Sequence, residues 1–125
     1  MTVLVADDDP DIIRFVEVNL RLEGYQVAVA RNGEQALDKA LELQPDLVLL
    51  DVRMPGIDGF EVCSRLRADP RGAAIPVILL TANIPVSGDH HRAREVGADD
   101  FVVKPFDPGD LMAKVRSLLQ AGRRR

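Results

Sequence analysis

The aliphatic run at residues 47–50, followed directly by Asp51, constrains the fold of this chain more than any other stretch. The run is too short for a helix and is bounded by Pro45 and by Pro55-Gly56, so it predicts a strand buried on both faces. Such strands belong to parallel sheets, which bind ligands at the carboxyl ends of their strands. We therefore predict that Asp51 has a role in chemistry rather than a structural role in the turn that follows it.

Three other apolar runs also end on polar residues suited to metal or phosphate chemistry. They are Asp7 and Asp8 after residues 3–6, Thr81 after residues 76–80, and Lys104 after residues 101–103. Parallel strands bring their carboxyl ends to one edge of a sheet. We expect these side chains to meet Asp51 there.

Strand and helix patterns alternate five times along the chain, with a further strand predicted at residues 25–30. Helices are predicted after Asp9-Pro10, Asn32-Gly33, Asp58 and Asp107-Pro108, and a weaker one over residues 84–96. Right-handed crossovers then give an α/β fold, a parallel sheet covered by helices on both faces.

The composition indicates one domain without a structural disulfide. The chain has 125 residues, a net charge of −4 and a single cysteine, Cys63, which we expect to be a small buried residue. The acidic balance argues against general nucleic-acid binding, and no apolar run has the length of a membrane span. We expect a cytoplasmic protein with a domain at residues 1–120 and a basic tail or linker start at 121–125.

The cluster of acids predicts a hard cation. Two or three carboxylates at neighbouring strand ends would repel by about 4 kcal/mol per close pair at an effective dielectric near 20. Oxygen ligands with room for water and phosphate oxygens favour Mg²⁺. With an ordinary pKa of about 3.9, Asp51 would be ionised at neutral pH and able to attack phosphorus directly.

These motifs together resemble the receiver domain of a bacterial two-component response regulator. The resemblance covers residues 3 to 120. Its matching pieces are Asp7-Asp8, Leu50-Asp51, Met54-Pro55-Gly56, Asp58-Gly59, Leu80-Thr81-Ala82, Gly97-Ala98-Asp99-Asp100 and Lys104-Pro105-Phe106.

The resemblance implies a flavodoxin-like (βα)5 three-layer sandwich with strand order 2-1-3-4-5. It makes Asp51 the phosphoacceptor and implies a Mg²⁺ site formed by Asp51, Asp8, Asp7 through water, and the backbone carbonyl of Arg53. Lys104 would pair with phosphoryl oxygens, and the Lys104-Pro105 bond is expected to be cis.

The resemblance also implies a switch. Phosphorylation would draw in Thr81 and turn Phe101 inward, changing the surface of the fourth helix, fifth strand and fifth helix. The family commonly has Tyr at the position of Phe101, so any part of the switch that needs a hydroxyl is in question. Arg53 and Asn83 flank the site and are expected to tune the lifetime of the phosphoryl group.

Partners follow from the same resemblance. The donor would be a phosphohistidine on a sensor histidine kinase or phosphotransfer protein, docking at Ile13, Arg14 and Phe106. A homodimer through the fourth helix, fifth strand and fifth helix is an open alternative to ordinary exposed ion pairs, and the effector is unknown. The charged residues in question are Asp99, Asp100, Arg94, Lys114 and Arg116.

Three rival functions fit less well. An aspartyl-phosphate phosphatase would need an acid two residues after Asp51, where the chain has Arg53. A flavodoxin-like nucleotide binder would need a phosphate loop where residues 7–9 are all acidic. A pseudo-receiver would lack the intact acidic pair, Thr81 and Lys104.

Two further features have ordinary explanations. His90-His91 is expected to be a solvated face of a helix, because no acidic partner is evident. The arginines at residues 123–125 are expected to be a solvated tail or a linker start.

Overall fold

The computed structural model describes residues 1–82 and 88–123, without the side chains of residues 88–90, 122 and 123. In this part of the chain, strands and helices alternate. The strands are β1 (Thr2–Ala6), β2 (Gln26–Ala30), β3 (Leu47–Asp51), β4 (Val77–Thr81) and β5 (Asp100–Val103). The helices are α1 (Pro10–Leu22), α2 (Gly33–Leu43), α3 (Gly59–Ala68), α4 (Gly88–Glu95) and α5 (Pro108–Arg123).

The five strands form one parallel sheet in the order β2-β1-β3-β4-β5, which confirms the predicted topology. Alternating side chains of the central strands enter two separate apolar clusters, one on each side of the sheet. In β3, Val48 and Leu50 pack towards α2, α3 and α4, whereas Leu47 and Leu49 pack towards α1 and α5. Both faces of the sheet are therefore covered, giving the predicted three layers.

The predicted caps begin four of the helices, and at the start of α5 the Asp107 side chain accepts a hydrogen bond from the backbone N–H of Asp110 at 3.1 Å. The Asp9 side chain accepts a hydrogen bond from the backbone N–H of Asp11, and Asn32 and Asp58 each cap their helix in the same way three residues on. Cys63 is fully buried in the cluster beneath α3, as expected, and burial raises the pKa of its thiol to about 11. Capping thus uses Asp9 and leaves Asp7 and Asp8 for the site.

Two helix boundaries bear on the sequence prediction. The described part of α4 begins at Gly88, and the expected start at residue 84 lies outside the described residues. Helix α5 continues to Arg123, past the expected domain boundary at residue 120. The assignment of residues 121–125 to a tail or linker remains a prediction.

Candidate phosphorylation and metal site

Asp7, Asp8 and Asp51 form one acidic cluster at the carboxyl edge of the sheet. Strand β1 pairs with β3 so that Ala6 lies beside Leu50, which brings the next residue of each strand, Asp7 and Asp51, side by side. Carboxylate oxygens of the three acids lie within 4.8 Å of one another. The expected meeting of the strand ends is therefore confirmed for these residues.

The three acids differ in their exposure to solvent. Asp7 is completely buried and Asp51 is 5% exposed, whereas Asp8 lies on the surface. The cluster therefore has a closed side formed by Asp7 and an open side at Asp8, where water and a ligand can approach.

Lys104 supplies the positive charge next to the buried acids. Its Nζ donates to Asp7 Oδ2 at 2.9 Å and to Asp51 Oδ1 at 3.2 Å. Its backbone N–H donates to the carbonyl of Thr81 at 2.7 Å, which fixes the end of β5 against β4. The ammonium group reaches two acids from a strand that is not adjacent to theirs.

Asp51 and Lys104 both have shifted pKa values. Burial, and then the negative charge of Asp7, raise the pKa of Asp51 from its ordinary value of 3.8 to about 6, although Lys104 opposes the shift. Burial disfavours the charge on Lys104, but its hydrogen bond to Asp7 and the two carboxylate charges outweigh burial and raise its pKa. Asp51 is thus harder to ionise than the sequence suggested, because its environment is dry and already negative.

The donor set fits a hard divalent cation. Three carboxylate oxygens converge within bonding reach of one ion, and the exposed side at Asp8 leaves room for water ligands, as Mg²⁺ requires. The ligand role of the Arg53 carbonyl stays a prediction.

The Arg53 side chain is exposed beside Asp8 on the wall of a cavity of about 530 Å³, which Arg92 also lines. The Arg92 guanidinium lies 5.0 Å from the centre of the Phe60 ring.

The other predicted site residues have these positions. Thr81 is buried at the end of β4, one residue beyond the Leu80 that pairs with Asp51. Phe101 is half-buried in β5 and packs against the cluster beneath α3 and α4. The Lys104-Pro105 peptide bond is cis. Asn83 lies outside the described residues.

A family model described as the response regulator receiver domain matches residues 3–116. The chain belongs to this family. The receiver domain is 46% identical over 118 residues to the DNA-binding dual master transcriptional regulator RpaA of Synechocystis, covering 94% of this chain and 48% of that protein. It is also 46% identical to the DNA-binding response regulator MtrA of Mycolicibacterium smegmatis, covering 94% of this chain and 50% of that one. The chain thus spans about half the length of these curated relatives.

Solved structures agree with the fold of this receiver domain. The signal receiver domain of a signal transduction histidine kinase from Syntrophus aciditrophicus has a TM-score of 0.92 at 36% identity, over 99% of this chain and 93% of that one. The receiver domain of a sensor histidine kinase from Pseudomonas aeruginosa has a TM-score of 0.88 at 31% identity, over 95% and 97%. That structure holds a magnesium ion coordinated in its active-site cleft.

The expected docking patch of the receiver domain needs one correction. Ile13 is only 3% exposed, because its side chain enters the core beneath α1, so it cannot contact a partner directly. The neighbouring Phe15 is 44% exposed, and its ring centre lies 6.2 Å from that of Phe106. Sequence reasoning missed Phe15, although its spacing of three from Val18 and seven from Leu22 marks an outer stripe on α1.

Several charges assigned to a possible dimer surface have partners within the chain. Lys114 donates to Asp100 at 2.9 Å, and Arg67 pairs with Asp99 at 2.9 Å. Arg116 pairs with Glu23 near the end of α1. A dimer that used these groups would have to exchange existing ion pairs for new ones.

The expectation that the histidine pair has no acidic partner was wrong for His91. Its Nε2 lies 2.8 Å from Glu95 Oε1, one helical turn further along α4, and both side chains are well exposed. The pair is still a solvated face, as predicted. The side chain of His90 lies outside the described residues.

None of the helices in the described part of the chain combines the length and apolar character that crossing a bilayer requires.

Proposed function

We propose that this receiver domain is a phosphorylation-controlled switch that accepts a phosphoryl group on Asp51 with the help of Mg²⁺. The observation that carries the proposal is the convergence of Asp7, Asp8 and Asp51 within 4.8 Å, with Lys104 bonded to two of them. Four charged groups are thus preorganised at one point of a sheet edge. Such an arrangement suits phosphoryl transfer, which depends chiefly on positioning and on neutralising charge.

Asp51 is the nucleophile of the proposed reaction. One carboxylate oxygen attacks the phosphorus of a phosphohistidine, the P–N bond breaks, and the imidazole nitrogen keeps the electron pair. With a pKa raised to about 6, Asp51 is still mostly ionised at neutral pH and needs no general base. Hydrolysis of the aspartyl phosphate by water releases inorganic phosphate and restores the carboxylate.

The surrounding side chains handle the charge. Asp7, Asp8 and Asp51, with the proposed backbone carbonyl of Arg53, would hold the Mg²⁺, whose charge offsets that of the phosphoryl oxygens. The ammonium of Lys104 donates to Asp51 Oδ1, and in the proposed reaction it would bind an oxygen of the phosphoryl group transferred there. The domain would in this way catalyse its own phosphorylation and dephosphorylation.

The proposed output is a change at α4, β5 and α5. Thr81 ends β4 next to Asp51 and offers a hydroxyl to the phosphoryl group, while Phe101 lies on the neighbouring strand and can fill the space that Thr81 leaves. Arg53 and Asn83 are proposed to tune the phosphoryl lifetime. A homodimer through α4, β5 and α5 would form in response to this change. Asp99, Lys114 and Arg116 would then have to exchange their intramolecular ion-pair partners for intermolecular ones.

The proposed partner surface for the histidine kinase is the outer stripe of α1 together with Phe106. Phe15, Val18 and Leu22 are 44%, 50% and 79% exposed, and they repeat with helical spacing along one side of α1. Contiguous exposed apolar side chains of this kind mark protein interaction surfaces. Arg14 is exposed on the same helix and keeps its proposed place at the edge of this surface.

We propose a DNA-binding effector in the whole protein, because the named relatives are DNA-binding regulators about twice as long as this chain. We also propose a cytoplasmic location. We propose no direct nucleic-acid contact for the receiver domain itself, because its acidic cluster and net charge of −4 would repel phosphates.

Intact-mass spectrometry after incubation with acetyl phosphate tests the proposal. The wild type should gain one phosphoryl group in the presence of Mg²⁺ and none after chelation. Asp51→Asn should gain none, whereas the matched control Asp38→Asn, which changes an exposed acid on α2 outside the cluster, should react like the wild type. Equal modification of wild type and Asp51→Asn would reject Asp51 as the acceptor.

A further inference from the structure

Gly33 and Gly59 each directly follow a helix N-cap, and each contacts one end of the β3–α3 loop (residues 52–58). Asn32 caps α2 and is followed by Gly33, and Asp58 caps α3 and is followed by Gly59. Each cap oxygen accepts a backbone N–H three residues on, at 2.8 and 2.9 Å. Both first turns are therefore firmly built, and the loop lies between them.

The contacts at both glycines are with backbone atoms. A Cβ added to Gly33 would clash with the carbonyl oxygen of Ile57, and one added to Gly59 would clash with the carbonyl oxygen of Asp51. The N–H of Gly59 also donates to the carbonyl of Val52 at 2.8 Å. Gly59 thus touches the start of the loop at the phosphoacceptor itself, and Gly33 touches its end.

Backbone conformation does not explain these two glycines. The glycines with positive φ are Gly24, Gly56 and Gly97, so alanine would fit the backbone angles at residues 33 and 59. Glycine is also a poor residue within a helix. Close approach of the loop is the remaining requirement that only glycine meets.

We propose that Gly33 and Gly59 form a two-point clamp that positions the β3–α3 loop for cation binding, with Gly33 as a positioning residue on a helix that supplies no ligand. The inference rests on the proposed function, because the cation is the Mg²⁺ of the acidic cluster and Arg53 supplies its carbonyl from within the clamped loop. Since Asp51 and Ile57 are both held through backbone contacts, the loop between them has little freedom to move the Arg53 carbonyl away from the site.

Isothermal titration of Mg²⁺ into the purified chain tests the clamp. Gly33→Ala should bind Mg²⁺ about 10-fold more weakly than the wild type, the size of effect that residues supporting metal ligands usually have. The matched control is Gly72→Ala. Its Cβ would lie 2.8 Å from Leu66 Cδ2 and 2.9 Å from the Leu66 carbonyl oxygen, near the end of α3 and before β4, at the opposite edge of the sheet from Asp51. It should be destabilised but should bind Mg²⁺ like the wild type.

Each outcome has one meaning. A wild type that does not bind Mg²⁺ rejects the proposed function. A wild type that binds, with a folded Gly33→Ala that binds equally well or a Gly72→Ala that is weakened as much, overturns the clamp. If Gly33→Ala does not fold, Asn32→Ala replaces it, because losing the cap loosens the first turn of α2 without a clash. A severalfold loss of Mg²⁺ affinity then supports the clamp, and an unchanged affinity overturns it.

Discussion

The Nζ of Lys104 lies 3.2 Å from Oδ1 of Asp51, the proposed phosphoacceptor. The same nitrogen lies 2.9 Å from Asp7, so one ammonium group bridges two buried carboxylates. Before any cation binds, Lys104 is therefore their source of positive charge. This relationship makes the charge balance of the site testable residue by residue.

Replacing Lys104 by methionine should strengthen Mg²⁺ binding while slowing phosphorylation. Lys104 competes with the cation for Asp7 and Asp51, so its removal should raise the Mg²⁺ affinity by well over 10-fold, because two unit charges about 4 Å apart repel by about 4 kcal/mol at an effective dielectric near 20. Phosphorylation should slow because the transferred group loses a cation. Titration calorimetry and intact-mass time courses measure the two effects, and Lys104→Arg, which keeps the charge, is the control. Weaker Mg²⁺ binding in Lys104→Met would contradict this charge balance.

Asp51→Asn should stabilise the metal-free protein at pH 7. The pKa of Asp51 is raised from 3.8 unfolded to about 6 folded, so the folded state binds the proton more tightly than the unfolded one. This contribution to stability is complete below about pH 4 and is lost as the pH rises through about 6. At pH 7 the charged carboxylate then costs on the order of 1–3 kcal/mol, which the amide avoids.

Urea unfolding with a chelator present, repeated from pH 4 to pH 8, measures this effect. The difference in unfolding free energy between Asp51→Asn and wild type should grow as the pH rises across that range. A constant difference would show that Asp51 titrates normally in the folded protein.

Asp8→Asn should weaken Mg²⁺ binding without destabilising the metal-free protein. Asp8 is exposed, so its loss leaves no buried group unpaired, yet it removes one of the three carboxylates that meet within 4.8 Å. We expect at least a 10-fold loss of Mg²⁺ affinity and, in the metal-free protein, a free energy of unfolding no lower than that of the wild type, because the substitution removes one of three mutually repelling charges. Asp11→Asn, which neutralises an exposed acid in the first turn of α1, is the control and should bind Mg²⁺ normally.

Phe15→Ala should slow phosphotransfer from the cognate kinase but not phosphorylation by acetyl phosphate. The Phe15 ring is 44% exposed beside Phe106 and belongs neither to the acidic cluster nor to its ion pairs with Lys104. Leu43→Ala is the matched control, because Leu43 is 51% exposed on α2, outside the proposed partner surface. Equal slowing with both donors would remove the docking role of Phe15.

The sequence predicted those features of the fold and the site that depend on a local pattern within one strand or helix. The aliphatic run before Asp51 predicted a buried parallel strand, and parallel strands bring their last residues to one edge, which located Asp7 and Asp8 as well. The ion pair between His91 and Glu95 was also predictable, because their i, i+4 spacing places the two side chains on one face of a helix.

The features that could not be predicted depend on packing between elements. The pKa of Asp51 follows from its burial and from the nearness of Asp7, neither of which a sequence pattern measures. The exposed ring of Phe15 was assigned to the partner surface because it lies beside Phe106, a residue that is distant in sequence. The need for Gly33 arises from the carbonyl of Ile57, so the N-cap pattern at residue 32 predicted the helix but not the contact.

Locating the acyl phosphate by borohydride reduction tests the central claim most directly. Borohydride converts an aspartyl phosphate into homoserine, which tandem mass spectrometry assigns to a single position. After reaction with acetyl phosphate and Mg²⁺, the account predicts homoserine at position 51 and none when Mg²⁺ is chelated. Homoserine at position 7 or 8, or the same yield at position 51 without Mg²⁺, would contradict it.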